Sequence, residues 1–170
     1  MSQSEASADR VWALIEEIQV AMVVTHDGLG DRLRARPMAA HPAREENAIY
    51  FLTDVGAGKV DEVSQNDNVC LAFADHQKGR RYVSVTGRAI LSHDRDKIKE
   101  LWSTADKAFW RDANDPAIRV LRVTPNAAEF WESGADVVSY VKILISSVTG
   151  GGEPHLHDNE KVTLSRPVRA

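Results

Sequence analysis

The stretch NVCLAFADHQKGRRYVSVTGRAILS, residues 68–92, decides the fold class predicted for this chain. Its two strand-like runs, residues 68–75 and 81–92, are joined by the polar turn HQKG, and this order is typical of a β-hairpin. Gly87 lies inside the second run, where an isolated glycine indicates a bulge or a bend. The stretch therefore predicts two antiparallel neighbours in one sheet.

Short strands and helices on both sides of this hairpin indicate the rest of the architecture. VAMVVT, a turn at residues 26–28 and an arginine-rich strand predict a second hairpin. Further strand signals lie at residues 48–53 and 120–133, and helices are predicted at 8–18, from Lys59, after a cap at Asp94 and at 137–148. Helices stand at the start, middle and end of a chain with six or so strands. This pattern favours a mainly β, antiparallel barrel or sandwich with flanking helices over a parallel doubly wound sheet.

Composition is that of an ordinary globular protein. The 170 residues, 43% hydrophobic and 27% charged, suit one domain, which we assign to residues 1–150, followed by a polar C-terminal tail at residues 151–170. The net charge of -4 argues against a nucleic-acid partner, because binding to phosphate backbones needs an excess of basic surface. No apolar run reaches membrane-spanning length, no secretory signal is visible and the single Cys70 has no disulfide partner. We therefore expect a cytoplasmic protein without a membrane partner.

An arginine on every second residue marks the segment around LRARPMAAH, residues 33–41. Strand side chains alternate between faces, so Arg32, Arg34 and Arg36 would form one basic stripe. Two interpretations are open. The stripe is a solvated strand edge, which the following proline favours, or it is a site for an anion.

The segment GAGK, residues 56–59, combines a glycine-rich turn with a lysine before a helix. It lacks the full spacing of a phosphate loop and has Val60 where Ser or Thr would hold magnesium, so triphosphate hydrolysis is not expected. Free amide groups and the helix dipole still suit a single phosphate near Gly58 and Lys59. A simple loop followed by a solvated lysine is the alternative.

Metal-ligating and catalytic motifs are not recognisable elsewhere in the sequence. His155, His157 and Asp158 lie in the polar tail without companion ligands at a usual spacing, so no metal site is predicted. The remaining histidines each neighbour a turn, none belongs to an acid–base or nucleophile motif, and we interpret them as surface histidines: His26, His41, His76 and His93. The catalytic residues, if the protein has any, are therefore unknown from the sequence.

The order of these segments resembles a known family. RPM after a hairpin, IYFLTD, a glycine loop ending in GK, NVCLAFAD and YVSVTG are followed by LWSTADKAFW, LRVTPNAAEFW and SYVKILISSVTGG, so that the similarity covers nearly the whole chain. This set resembles the FMN-binding split-barrel superfamily of pyridoxamine 5'-phosphate oxidase, and within it the bacterial general stress protein branch. The resemblance implies a six-stranded antiparallel split β-barrel and a homodimer with two FMN sites in the clefts between subunits.

The resemblance also implies which residues hold FMN. Arg36 would bind the phosphate and ribityl region, and the backbone after it would pass along the flavin ring at Pro37, Met38 and Ala39. Leu52 and Thr53 match the next binding strand, while Gly58 and Lys59 match the end of the phosphate-binding loop. Tyr82 would reach the flavin from the second subunit, and Trp131 would border the cofactor. A guanidinium, an ammonium and a hydroxyl suit a phosphate dianion.

One departure from the family limits the implied reaction. In the vitamin-making oxidases EFW is followed by an Arg-x-His-Asp-Arg cluster that holds the substrate, whereas here ESGADVVSY follows, and LHDN at residues 156–159 lacks the arginines. We therefore expect an FMN-dependent oxidoreductase that acts by hydride transfer on an unidentified small molecule, and not pyridoxamine phosphate oxidation. A non-catalytic flavin-binding stress protein that stores or senses the cofactor is the alternative, and a cleft for a deazaflavin or haem is a third possibility.

Overall fold

The structure is a computed structural model that describes residues 3–27, 32–56, 59–75, 77, 80–133 and 159–164. It contains three α-helices, two short 3₁₀ helices and eight strands within those residues. The helices are α1 (Gln3–Ile18), α2 (Lys59–Gln65) and α3 (Arg95–Leu101), and the 3₁₀ helices are Arg44–Glu46 and Thr104–Ala108. The strands are β1 (Val20–His26), β2 (Leu33–Ala39), β3 (His41–Ala43), β4 (Ala48–Asp54), β5 (Asn68–Asp75), β6 (Arg80–Ser92), β7 (Ile118–Ser133) and β8 (Asn159–Thr163).

The strands form one antiparallel sheet in the order β2-β1-β5-β6-β7-β4-β3, with β8 paired to β7. β2 leads into β3 across the single residue Ala40, whose N–H donates to the Gln19 carbonyl at 2.7 Å. The two ends of the strand order are thus joined through the chain, and β2 also contacts β4. The sheet curls into a split barrel, which confirms the predicted fold class.

The predicted hairpin is β5 and β6, and its bulge lies where Gly87 indicated. The pairing of β6 with β7 shifts register between Thr86 and Gly87. A Cβ atom at Gly87 would lie 2.5 Å from the backbone oxygen of Thr124, so no other residue fits there without moving the backbone. The glycine therefore allows two long strands to bend together around the barrel.

Two apolar clusters cover the two faces of β4. The larger one fills the barrel and includes Phe51 on β4 together with Val11, Leu14 and Ile15 of α1. The smaller one packs the other face of β4 against Ile98 of α3 and partly buried tryptophans. Because β4 is buried on both faces, its end at Thr53 and Asp54 is held in a fixed position. That end forms part of the site described below.

Several other predictions can be compared with the fold. Asp94 caps α3 as predicted, and its side chain accepts hydrogen bonds from the backbone of Asp96 and Lys97. The strand count is eight where six or so were expected, since β3 is a separate short strand and β8 is formed by residues placed in the polar tail. Val162 and Leu164 of that segment are buried in the larger cluster.

The predicted helix at residues 137–148 lies outside the described residues. Among the residues described, no helix is long and apolar enough to cross a membrane.

Candidate functional site

The arginine stripe of β2 lies against a buried carboxylate. Arg36 donates to both oxygens of Glu62, with Nη1 2.9 Å from Oε2 and Nη2 2.6 Å from Oε1. Arg34 Nη1 donates to Oε1 at 3.0 Å, and the Thr25 hydroxyl donates to Oε2 at 2.7 Å. Arg32 is apart from this group and pairs with Asp27 at 3.2 Å. The stripe is therefore divided between the Arg32–Asp27 pair and a group around the buried carboxylate, which we call the Glu62 cluster: Thr25, Arg34, Arg36 and Glu62.

The geometry of the sheet explains this cluster. Thr25 is the cross-strand partner of Arg34, and Val23 is the partner of Arg36, so all of them share the inward face of the β1–β2 hairpin. α2 covers this end of the barrel and brings Glu62 onto it. The Glu62 side chain is 5% exposed, that of Arg36 18% and that of Arg34 54%. Two guanidinium groups thus meet one carboxylate, and the cluster keeps one net positive charge.

Two opposing effects act on the pKa of the Glu62 carboxyl. Burial alone would raise this pKa, because it penalises the charged form. Hydrogen bonds from Arg36 and Thr25, together with the charges of Arg36 and Arg34, outweigh this effect and hold the pKa below its usual value of 4.5. Glu62 is therefore ionised in the neutral pH range and forms bidentate, charge-assisted hydrogen bonds to Arg36.

A cavity of about 330 Å³ opens where the barrel is split between β2 and β4. One wall consists of strand residues, namely Pro37, Met38, Ala39, Leu52 and Thr53. All five are residues that the family resemblance assigns to the cofactor. Pro37 and Ala39 are exposed and Met38 is nearly buried, so this wall presents backbone and small apolar groups. A flat, mostly apolar ligand fits such a surface.

The rest of the lining contains acidic and aromatic side chains, and we call it the acidic aromatic wall: His41, Asp54, Asp106, Phe109 and Trp110. Trp110 Nε1 donates to Asp54 Oδ2 at 3.3 Å. Partial burial lowers the pKa of His41 below its usual 6.5, and the charge of Asp106 opposes this shift without cancelling it. The His41 imidazole is therefore mainly neutral at pH 7.

Tyr82 and Trp131 lie on the outer surface of the sheet and do not line this cavity. They are cross-strand partners on β6 and β7, near the end of the sheet where β7 pairs with β8. The strand registers place them on the same face as a set of residues without charge on β1, β2, β5 and β6. We call this set the uncharged outer face: Val20, Met22, Val24, Leu33, Ala35, Pro37, Ala39, Cys70, Ala72, Ala74, Ser84 and Thr86. Charged residues on the same side of the sheet, Arg80, Arg88 and Glu129, lie at its margin. Val20, Met22 and Leu33 are exposed there.

The predicted phosphate ligands are only partly placed together. Arg36 contacts α2 through Glu62, and Lys59 is the first residue of that helix, one turn before Glu62. Thr53 is on the opposite edge of the split, where it lines the cavity. The side chain of Lys59 and the whole of Gly58 lie outside the described residues.

Sequence reasoning did not find Glu62 or the acidic aromatic wall. The only signal for Glu62 was indirect, because inward-facing arginines need a counter-ion. His41 was predicted to be a surface histidine, but it is partly buried and lines the cavity. Within the described residues, no group of three or more His, Cys, Asp or Glu side chains is arranged to hold a metal ion.

Comparisons with known proteins agree with this fold. Protein bli-3 of Neurospora crassa is 27% identical over 142 residues, which cover 77% of this chain and 67% of that protein. The structure of general stress protein 26 from Bacillus anthracis has a TM-score of 0.64 at 17% identity and covers 72% of this chain and 91% of its own. The structure of a general stress FMN/FAD binding protein from Xanthomonas citri has a TM-score of 0.65 at 21% identity, covering 78% and 93% of the two chains.

At these identities the two structures show a shared fold. The family model described as "Pyridoxamine 5'-phosphate oxidase like" matches residues 6–153 of this sequence. The chain therefore belongs to the pyridoxamine 5'-phosphate oxidase-like family.

Proposed function

We propose that this protein is an FMN-binding homodimer that carries out flavin-dependent oxidation or reduction of a small molecule. The observation that carries the proposal is the cavity in the split of the barrel. Its strand wall consists of five residues that the family pattern assigns to the flavin, and it lies next to a cluster with net positive charge. The flavin-binding general stress protein of Xanthomonas citri shares this fold and supports the choice of cofactor.

The strand wall suits the flavin ring. Pro37 and Ala39 expose their backbone, and Met38 and Leu52 add apolar surface, so the ring would lie against a wall of low polarity. When bound, FMN would supply the electron and hydride chemistry. The residues of this chain would hold the ring in place and exclude water from one side of it.

The phosphate fits the arginines of β2. Arg34 uses one nitrogen on Glu62 and is more than half exposed, so the rest of its guanidinium group faces solvent. Arg36 is held in a fixed orientation by Glu62 and by the Thr25 hydroxyl. Its Nε–H and one N–H of Nη2 are not used in these bonds and could donate to a ligand. One net positive charge and fixed donors favour an anion at this end of the site.

The uncharged outer face supports a dimer. It extends across β2, β1, β5 and β6 and consists of small or apolar residues, as is typical of a surface that another subunit covers. Tyr82 and Trp131 lie on this face, away from the cavity of their own chain. In a two-fold dimer through this face, each subunit can bring these two rings to the cavity of the other.

The first experiment measures flavin binding and its dependence on the phosphate. We expect FMN to bind at least tenfold more tightly than riboflavin, which lacks the phosphate, because a charge-assisted hydrogen bond contributes about 1.5–3 kcal/mol. Arg36→Ala and Arg34→Ala should each remove much of this difference. Arg32→Ala is the matched control, since Arg32 pairs with Asp27 outside the Glu62 cluster. Absence of measurable affinity for FMN refutes the proposal.

The second experiment tests the dimer and the reaction. Ala72→Glu places a charge in the middle of the uncharged outer face and should give a monomer in light scattering, with weaker FMN binding, while Ala6→Glu on the exposed part of α1 should change neither. Identification of the chromophore by mass spectrometry separates FMN from a deazaflavin or haem. Turnover with a reduced nicotinamide donor supports an oxidoreductase. Stable flavin binding without turnover with any donor tested would indicate a storage or sensing protein instead.

A further inference from the structure

The acidic aromatic wall carries chemistry that a flavin ring does not require. Phe109 is 78% exposed although it is a large apolar side chain, and its ring centroid lies 5.8 Å from that of Trp110. Trp110 is held in turn by Trp102, at 6.4 Å between centroids, and by its hydrogen bond to Asp54. The two rings at the cavity are therefore a supported aromatic surface with one face open to a ligand.

The two carboxylates of this wall are bound by neutral donors. Asp54 Oδ1 accepts from the Gly56 N–H at 2.7 Å, and its Oδ2 accepts from Trp110. Asp106 Oδ2 accepts from the N–H and the hydroxyl of Ser103, both at 2.7 Å. In the described part of the chain, no Lys, Arg or His atom lies within ion-pair distance of either carboxylate, and no Lys or Arg lines the cavity. Both carboxylates line the cavity, and their hydrogen bonds among the described residues come from neutral groups.

We propose that the acidic aromatic wall is a binding subsite for a planar, single-ring organic cation. Aromatic faces attract cations, carboxylates add a second attraction, and the neutral His41 adds a hydrogen-bonding group at the same cavity. A phosphorylated or carboxylated ring would instead be repelled. The subsite rests on the proposed function in one respect: a flavin bound on the strand wall would lie next to the cation. Binding of the cation itself does not require the flavin.

The strength of each contribution follows from its exposure. The cavity is open to solvent, so water weakens charge interactions, and each carboxylate should strengthen cation binding about three- to tenfold. A cation over an exposed aromatic ring gains about two- to fivefold. A cation should therefore bind at least tenfold more tightly than a neutral ring of the same shape, and an anionic ring should bind more weakly still.

The test is calorimetric titration of the full chain, with and without FMN, using three probes of similar shape. These are the 1-methylnicotinamide cation, neutral nicotinamide and the nicotinate anion. We expect the cation to bind best. Asp106→Asn keeps the oxygen that accepts from Ser103, and Asp54→Asn keeps one of its two acceptor oxygens. Each variant should weaken cation binding about three- to tenfold with little effect on nicotinamide. Phe109→Ala should weaken the cation and nicotinamide, and its high exposure makes unfolding of this variant unexpected.

A matched control is Asp96→Asn, which removes the same charge from α3 at an exposed position outside the cavity. It should leave cation binding within twofold. Equal affinity for the three probes, or Asp54→Asn and Asp106→Asn variants that bind the cation like the unmodified protein, would overturn the inference. Cation binding in a protein without FMN affinity would refute the proposed function and support this subsite. FMN binding without selectivity for the cation would support the proposed function and refute this subsite.

Discussion

Glu62 holds together two strands and a helix, so its substitution is a sharp test of the structure. Glu62→Gln keeps the size of the side chain but removes its charge and replaces one acceptor oxygen with a donor amide. In the structure, the two oxygens accept four hydrogen bonds from Thr25, Arg34 and Arg36. In the variant, the amide nitrogen is a hydrogen-bond donor that faces other donors, and two guanidinium groups lose their counter-ion.

The expected cost follows from the burial of the partners. Breaking a fully buried ion pair costs about 3–5 kcal/mol, because the remaining charge is left without compensation. Here the Glu62 side chain is 5% exposed but Arg36 is 18% and Arg34 54% exposed, so solvent screens part of the remaining charge. We expect the free energy of unfolding to fall by about 2 kcal/mol. With a urea m-value of about 2 kcal/mol/M, the midpoint would shift by roughly 1 M.

The assay is urea unfolding of the Glu62→Gln variant, followed by tryptophan fluorescence. Glu16→Gln on the exposed side of α1 is the control and should change stability by less than about 0.5 kcal/mol. The cost at Glu62 should also depend on pH. The folded pKa of Glu62 lies below 4.5, so its stabilising effect is complete above that value and is lost as the pH falls through the folded pKa. A loss below about 0.5 kcal/mol at pH 7 would refute the Glu62 cluster.

Three further predictions concern the fold and the cavity. Gly87→Ala should destabilise the protein by about 1–3 kcal/mol in urea unfolding, because the added Cβ meets the backbone oxygen of Thr124; an unchanged midpoint would contradict the bulge. NMR titration of His41 should give a pKa below 6.5, and Asp106→Asn should lower it further because it removes the charge that favours protonation. Since the unfolded state then binds more protons, His41 makes stability rise with pH between its folded pKa and 6.5, and a pKa above 6.5 would refute its burial. Asp94→Ala should cost about 1 kcal/mol through loss of the α3 cap, and no change would mean that α3 does not need it.

Local sequence patterns predicted most of the sheet because each of their signals lies within a few residues. The β5–β6 hairpin, the bulge at Gly87 and the cap at Asp94 depend on turn chemistry or on one backbone conformation. The strand β8 had no such signal, since residues 159–164 form a strand only by pairing with β7 and burying Val162. Its position is a tertiary effect that a local pattern does not contain.

The candidate site was predicted only in part, because its residues are far apart in the sequence. Strand residues such as Pro37 and Leu52 could be assigned by resemblance. Most of the acidic aromatic wall, Asp106, Phe109 and Trp110, comes instead from the segment after α3, far along the chain. Nothing in the spacing of Asp106 and Trp110 relates them to β2. Only the packing of the smaller cluster on β4 brings Trp110 to the split of the barrel.

The arginine stripe shows how such a gap changes a functional argument. The alternation of Arg34 and Arg36 predicted one charged face, and that face exists, but its counter-ion is 26 residues or more away along the chain. The Glu62 cluster thus carries a net positive charge close to Pro37 at the rim of the cavity, while Asp54 and Asp106 carry negative charge on the cavity lining. In a ligand with a phosphate at one end and an uncharged ring at the other, the phosphate is attracted by the arginines and repelled by the carboxylates. This polarity favours one orientation of such a ligand, with its phosphate at the arginines and its ring towards the carboxylates.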